Sequence, residues 1–132
     1  MTTAAENATV TIEAEFQFPL LAHSPMEPLN CVIEPTEAGG VLIHDGCQMP
    51  MITHGTVAAI LQLPPDKVDV KTYYAGGSFG RRATGTSDYH TEAALAFAAL
   101  QGKHAIKLVW TREDDLAGGF YRPMFAPCKN WY

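Results

Sequence analysis

Residues 68 to 82, Val-Asp-Val-Lys-Thr-Tyr-Tyr-Ala-Gly-Gly-Ser-Phe-Gly-Arg-Arg, decide how this chain is read. Val68 and Val70 alternate with Asp69 and Lys71, the period-two pattern of a strand with one buried face. A strand is expected from Val68 to Tyr74. It runs into a loop in which Gly76, Gly77 and Gly80 crowd around Phe79, with Arg81 and Arg82 directly after. Glycine reaches backbone conformations that a Cβ forbids and lets other groups approach the main chain closely. A loop of this kind can aim several N–H groups at an oxo group or a phosphate. The arginines can pair with negative charge in a planar, two-toothed geometry. The same residues also suit an ordinary glycine turn between a strand and a helix.

Working upstream, Met51 to Leu63 is expected as a helix with Ile52, Val57, Ile60 and Leu61 on its buried side, stopped by Pro64-Pro65. Leu29 to Glu34 and Val41 to His44 read as strands joined by a turn at Glu37-Ala38-Gly39-Gly40, an antiparallel hairpin. Leu20 to Pro28 is irregular, and residues 8 to 18, ATVTIEAEFQF, alternate as a half-buried strand. Downstream, Ser87 or Thr86 is placed to cap an alanine-rich helix from Asp88 to Gln101, closed by Gly102. Ala105 to Trp110 reads as a strand. Thr111 and the acidic residues Glu113, Asp114 and Asp115 open a short helix that Gly118-Gly119 ends. The tail from Tyr121 to Tyr132 has no clear pattern.

The expected fold class is α/β with α+β character. N-terminal antiparallel strands precede a βαβαβ run, helices pack on a mixed sheet, and residues 1–132 form one domain. Right-handed crossovers make the βαβ part parallel. Ligands in such sheets sit beyond the carboxyl ends of the strands. The loop carrying Gln48 and the loop Gly76 to Arg82 both follow such ends, so they converge at one sheet edge if their strands are neighbours.

The 132 residues are 47% hydrophobic and 17% charged, with net charge −5. This supports a real core and excludes electrostatic nucleic-acid binding. Low charge and an apolar tail fit a surface that something else covers, a homodimer included. Cys31, Cys47 and Cys128 form no zinc spacing, and the histidines form no HxxxH or HExxH pair. No signal peptide is read at Met1 to Asn7, making a cytoplasmic location the default. No apolar run is long enough for membrane insertion.

Several segments carry a family resemblance: Ala22-His23-Ser24-Pro25-Met26-Glu27-Pro28-Leu29-Asn30-Cys31, Gln48 with Pro50, and Leu63-Pro64-Pro65-Asp66-Lys67-Val68. They are followed by Gly76 to Arg82, Glu92-Ala93, Val109 to Asp115 and Phe120-Tyr121-Arg122-Pro123. In this order and spacing the chain resembles the molybdenum-binding large subunit of the xanthine oxidase and aldehyde oxidase family, nearest the isoquinoline 1-oxidoreductase type. The resemblance covers residues 8–124 and leaves 125–132 as a divergent tail. It implies a molybdopterin cofactor, in the cytosine dinucleotide form usual in bacteria, and hydroxylation of N-heterocycles or aldehydes with oxygen from water. It also implies that Gln48 lies beside an oxo ligand of molybdenum and that the Phe79 backbone N–H lies near the metal. Gly77, Ser78, Gly80, Arg81 and Arg82 complete the implied cofactor-binding set. The remainder of a large subunit and an iron–sulfur small subunit are the implied partners.

Departures accompany the resemblance. Ser78 stands where the family usually has glycine, and it needs an ordinary backbone angle to avoid strain. Ala83 stands where purine hydroxylases carry a substrate-binding glutamate. No carboxylate here matches the family's catalytic glutamate, so a part of such a subunit, inactive alone, is expected. The alternatives are a non-catalytic binding or dimerisation module with the same fold, and an unrelated phosphate-binding α/β domain. Residue by residue, Gln48 also suits a helix cap, and Arg81 and Arg82 either a solvated pair or a pair with a carboxylate partner. His23 and Glu27 suit either an acid–base pair or loop-fixing hydrogen bonds. Tyr73, Tyr74, Trp110 and Phe120 read as core or interface residues.

Overall fold

The computed structural model describes Asn7, Thr9, Val10 and residues 19–122. In chain order the elements are β1 (Leu21–Ala22), β2 (Asn30–Pro35), β3 (Val41–Asp45), α1 (Pro50–Leu61), β4 (Val68–Thr72), α2 (Asp88–Ala99), β5 (Ile106–Val109), α3 (Arg112–Gly118) and β6 (Tyr121–Arg122). Two compact units are distinguished. One gathers residues 1–22 and 121–132, the other His23–Phe120. In the first, β1 and β6 pair antiparallel.

The second unit is a mixed sheet in the order β4-β3-β2-β5, with helices against it. β2 and β3 form the expected antiparallel hairpin, from Val32 opposite His44 to Pro35 opposite Val41. Gly39, at φ 74°, makes its turn. In β3 the side chains alternate: Val41, Ile43 and Asp45 are buried, while Leu42 and His44 are only partly covered. Val41, Ile43 and Val68, with Leu29, Cys31 and Ile33, form the sheet's half of the core. The helical half is Val57 and Ala58 of α1 and Tyr89, Ala93, Ala94 and Phe97 of α2. The four-residue spacing of Thr53 and Val57 in α1, and of Tyr89, Ala93 and Phe97 in α2, keeps each set on one helix face. At the C-terminal end of α2, Gly102 takes φ 65° and its N–H donates to the Phe97 carbonyl at 3.0 Å.

β3 and β4 are parallel neighbours, in register from Val41 opposite Val68 to Asp45 opposite Thr72. The second crossover ends elsewhere than a run of adjacent strands would place it. β5 pairs antiparallel with β2, at the far edge. β4 and β5 still point the same way, because two antiparallel steps separate β5 from β3. The cause is α2, whose apolar face packs on β2 and β5 and so delivers the chain to the free edge of β2.

Other differences are local. β4 ends at Thr72, and Tyr73 and Tyr74 leave the sheet as exposed residues, outside the core. Ser87 occupies the α2 cap position but makes no side-chain cap bond; its hydroxyl is engaged by His90 Nδ1 at 3.0 Å. α1 starts with Pro50 at its first position, where a missing N–H costs nothing. α3 has the expected cap as a full capping box between Thr111 and Asp114. Of the strand expected over 8–18, only Thr9 and Val10 lie within the described residues, as a bend. The tail from 123 onward lies outside them. Among the described residues no helix is long and apolar enough to cross a membrane.

Candidate functional site

Because β3 and β4 are parallel and end in register, the loops that follow them leave the sheet side by side. They are bonded directly. The Gln48 N–H donates to the Arg82 carbonyl at 3.0 Å, and the Ser78 hydroxyl donates to Gln48 Oε1 at 2.5 Å. The Arg82 N–H in turn donates to Ser78 Oγ at 3.0 Å. A third loop, His23 to Pro28, joins through Glu27. Its N–H donates to the Gly76 carbonyl at 3.1 Å, and its Oε2 accepts from the Gly76 N–H at 2.6 Å. Gly76 is needed for this approach, since a Cβ there would lie 2.7 Å from Glu27 Cβ.

The glycine loop turns through left-handed conformations at Gly77 (φ 102°), Phe79 (φ 54°) and Gly80 (φ 96°). Ser78 keeps an ordinary backbone angle, and the strain sits on Phe79, at a cost of about 1–3 kcal/mol. The residue is 64% exposed. Among the described residues, no group accepts a hydrogen bond from the Phe79 or Gly80 N–H. Gln48 is exposed beside them. The sequence-derived residues Gln48, Gly77, Ser78, Phe79 and Gly80 thus lie together on one solvent-facing rim.

Arg81 and Arg82 lie behind that rim. Both are buried. Arg81 makes a two-toothed pair with Asp88 (Nη2 to Oδ2 2.7 Å), lies 3.9 Å from Asp115, and stacks against Trp110 at 5.3 Å. Arg82 reaches Asp45 at 3.6 Å and Glu27 at 3.4 Å, and donates to the Gly77 and Glu27 carbonyls at 3.2 Å. Their carboxylate partners are therefore internal. One residue, Arg82, ties together the end of β3, the Glu27 loop and the glycine loop.

Sequence reasoning missed what supports Arg82. Asp45, at the buried end of β3, accepts from the Tyr89 phenol at 2.8 Å and bonds His90 Nε2 at 2.6 Å. The available signal was the alternation of β3, which puts position 45 inward with Ile43; a carboxylate there demands partners. Burial, then the Asp45 charge, pushes the Tyr89 phenol upward, so it stays a donor. Burial also holds Cys31 up at about 12 and raises Cys47. Asp45, Cys47 and His90 offer metal-ligand atoms within 4.8 Å of one another. However, 2.6 Å between Oδ2 and Nε2 is a hydrogen-bond separation, and two ligands on one ion with bonds of roughly 2.0–2.1 Å stand further apart. With Arg82 alongside, this is a hydrogen-bonded core. Glu27 fixes its loop: the Asn30 amide first, then the Gly76 N–H and Arg82, hold its carboxyl below the usual range against partial desolvation.

The arrangement presents neutral N–H donors outward and neutralises its carboxylates inward. That suits an oxo or other anionic group and disfavours a bare cation. A groove of about 380 Å³, lined by Thr36, Gly40, Leu63 and Phe97, lies at the other end of the sheet, away from these loops.

Comparison with known proteins places the chain in a family. Residues 1–127 match the molybdopterin cofactor-binding domain. Isoquinoline 1-oxidoreductase subunit beta of Brevundimonas diminuta is 37% identical over 118 residues, covering 89% of this chain and 15% of that protein. A membrane-bound aldehyde dehydrogenase (pyrroloquinoline-quinone) of Gluconacetobacter polyoxogenes is 38% identical over 117 residues, 88% of this chain and 14% of that one. Among solved structures, quinoline 2-oxidoreductase of Pseudomonas putida 86 superposes with a TM-score of 0.68 at 18% identity, over 92% of this chain and 15% of that one. CO dehydrogenase of Oligotropha carboxidovorans gives 0.65 at 25% identity, over 91% and 15%. The chain spans only about a seventh of the length of these curated relatives. It belongs to the molybdopterin cofactor-binding domain family, within the xanthine oxidase and aldehyde oxidase group of molybdenum hydroxylases.

Proposed function

We propose that the rim formed by Gln48 and the loop Gly77 to Gly80 is this chain's contribution to a molybdopterin site in an oxidoreductase acting on N-heterocycles or aldehydes. The observation that carries it is the joining of Gln48 to the glycine loop through Ser78, with the Phe79 and Gly80 N–H groups unbonded among the described residues. The donor set fits the group, since amide N–H groups bind metal-oxo and phosphate oxygens without adding charge. When bound, the cofactor supplies the redox-active metal for hydroxylation with oxygen from water. The chain's own residues bind and orient. Gln48 Nε2 and the Phe79 N–H would hold oxygen atoms of the bound group. Gly77 and Gly80 give the backbone the turn this requires, and Ser78 joins the two loops. Arg81 and Arg82 serve the cofactor from behind by holding the loop.

The cytosine dinucleotide form, the remainder of a large subunit and an iron–sulfur subunit complete this reading. The chain is inactive without them. Met26, Met51 and Tyr74 stand exposed on or beside these loops, which fits a surface that another polypeptide covers.

The test is co-purification. The chain is produced alone and together with the complementary part of a large subunit. Molybdenum is measured by mass spectrometry, and the nucleotide released by acid is identified. Molybdenum and cytidine monophosphate are expected in the complex and absent from the lone chain, with molybdenum reduced by Gln48→Ala. A well-folded complex or dimer that never carries molybdenum overturns the proposal in favour of a non-catalytic module.

A further inference from the structure

We propose that the Ser78 hydroxyl is a positioning group that sets which way the Gln48 carboxamide faces. A hydroxyl has one hydrogen and accepts through its lone pairs. The Arg82 backbone N–H can only donate, so it takes a lone pair of Ser78 Oγ, at 3.0 Å. The hydroxyl hydrogen then has an acceptor in Gln48 Oε1, at 2.5 Å. The chain of donors therefore runs one way, from Arg82 N–H through Ser78 O–H to the amide oxygen. It ends at Gln48 Nε2, for which no acceptor occurs among the described residues.

The reverse orientation is worse at both ends. With Nε2 turned inward, Ser78 Oγ faces two donors and its own hydrogen loses its acceptor. With Oε1 turned outward, the rim presents a carbonyl oxygen where the Phe79 and Gly80 N–H groups present donors.

The start of the chain is fixed. The Arg82 guanidinium is buried against Asp45, and the Arg82 carbonyl accepts from the Gln48 backbone N–H. Main chain and side chain of Gln48 are thus held by the same turn of the glycine loop. Glycine at position 78 has no hydroxyl with which to do this, and Gln48, exposed to water, would then sample both faces of its amide. The inference deepens the reading of Gln48 as a cofactor contact and rests on it only for its purpose. The orientation itself is a property of the chain alone.

Nuclear magnetic resonance on the full chain with ¹⁵N-labelled glutamine tests it. Gln62 and Gln101, both exposed, serve as mobile references. The Gln48 NH₂ pair is expected to show a heteronuclear NOE near that of the backbone in the wild type. It should fall to the level of Gln62 and Gln101 in Ser78→Ala and be retained in Ser78→Thr. The Arg82 amide resonance should move in the alanine variant while distant core amides stay in place. If Ser78→Ala does not fold, Ser78→Gly removes the same hydroxyl with full backbone freedom. A wild-type Gln48 as mobile as Gln62, or one unaffected by loss of the hydroxyl, overturns the proposal. Molybdenum retention by Gln48→Ala in the complex is scored separately. An ordered Gln48 that proves dispensable for molybdenum supports the positioning role and overturns the cofactor reading instead.

Discussion

Arg82 Nη1 stands 3.6 Å from Asp45 Oδ1, with both side chains withdrawn from solvent. Asp45 is the last residue of β3, and Arg82 closes the glycine loop, so this ion pair joins the sheet to the rim. Charge alone does not explain its value, since burying two ions is expensive. The pair is tolerable because Asp45 also takes Gly46 N–H, Tyr89 and His90, and Arg82 also finds carbonyls.

Removing one partner should therefore hurt more than removing both. Arg82→Met leaves Asp45 buried without its cation and is expected to destabilise the chain by about 3–5 kcal/mol. Adding Asp45→Asn should recover part of that loss, because the uncompensated charge goes with it. Urea unfolding of the two single variants and the double variant measures the coupling. Costs that simply add would show that the two side chains do not act as a unit.

The glycines of the site should separate into two kinds. Gly80 has open space around its missing Cβ, with only His23 Nε2 at 4.0 Å, but its φ is 96°. Gly80→Ala is expected to cost about 1–3 kcal/mol through backbone strain alone. Gly76 has no positive φ, yet a Cβ there meets Glu27. Gly76→Ala should therefore be rescued in a Glu27→Gly background, which removes the Cβ it meets, whereas Gly80→Ala should not. Gly55, in α1 with nothing within 4 Å, is the control: alanine there should stabilise by about 0.5–1 kcal/mol. Thermal unfolding of the set reads all of these directly.

Most of the fold was legible because its elements carry short-range signals. The alternation of Val41 to Asp45, the turn at Gly39, the alanine run of α2 and the Thr111 cap each specify structure within a few residues. The far-edge position of β5 was not legible. Which strand edge receives a crossover depends on how α2 packs across the sheet, and no local pattern encodes that. The site divides in the same way. The glycine loop declared itself by composition, and Gln48 through the family resemblance. Their bond through Ser78 needed coordinates. For the arginines a carboxylate pair was one of two open readings; Asp45, Asp88 and Asp115 come from three separate elements and could be matched to them only in space. Of the two readings of Tyr73 and Tyr74, core or interface, their exposure rules out the core; aromatic character alone says nothing about where a strand stops.

Cys31 and Cys47 should be inert in the folded chain. Burial raises Cys31 to about 12 and shifts Cys47 upward as well, so at mildly alkaline pH both remain protonated, and both are shielded. The thiolate is the reactive form. Alkylation followed by peptide mass mapping should label Cys31 and Cys47 only after denaturation. Rapid native labelling at Cys31 would mean that β2 opens far more readily than a central strand should.

Acid should loosen the site through Glu27. Its folded value lies below the ordinary 4.5, chiefly because the Asn30 amide and the Gly76 N–H bond the carboxylate form. A depressed folded value means the unfolded chain takes up the proton first on acidification. The contribution is therefore fully present above about 4.5 and is lost as pH falls through the lower folded value. The side chain is 41% exposed, so solvent screening keeps the effect small in global stability. It should be clearer locally, because Glu27 holds Gly76 and Gly76 begins the loop that carries Ser78 and Phe79. Between about pH 6 and about pH 3, amide exchange at Gly76 to Gly80 should accelerate more in the wild type than in Glu27→Gln, whose neutral amide oxygen still accepts but does not titrate. Equal acceleration in both would show that acid reaches the rim by another route.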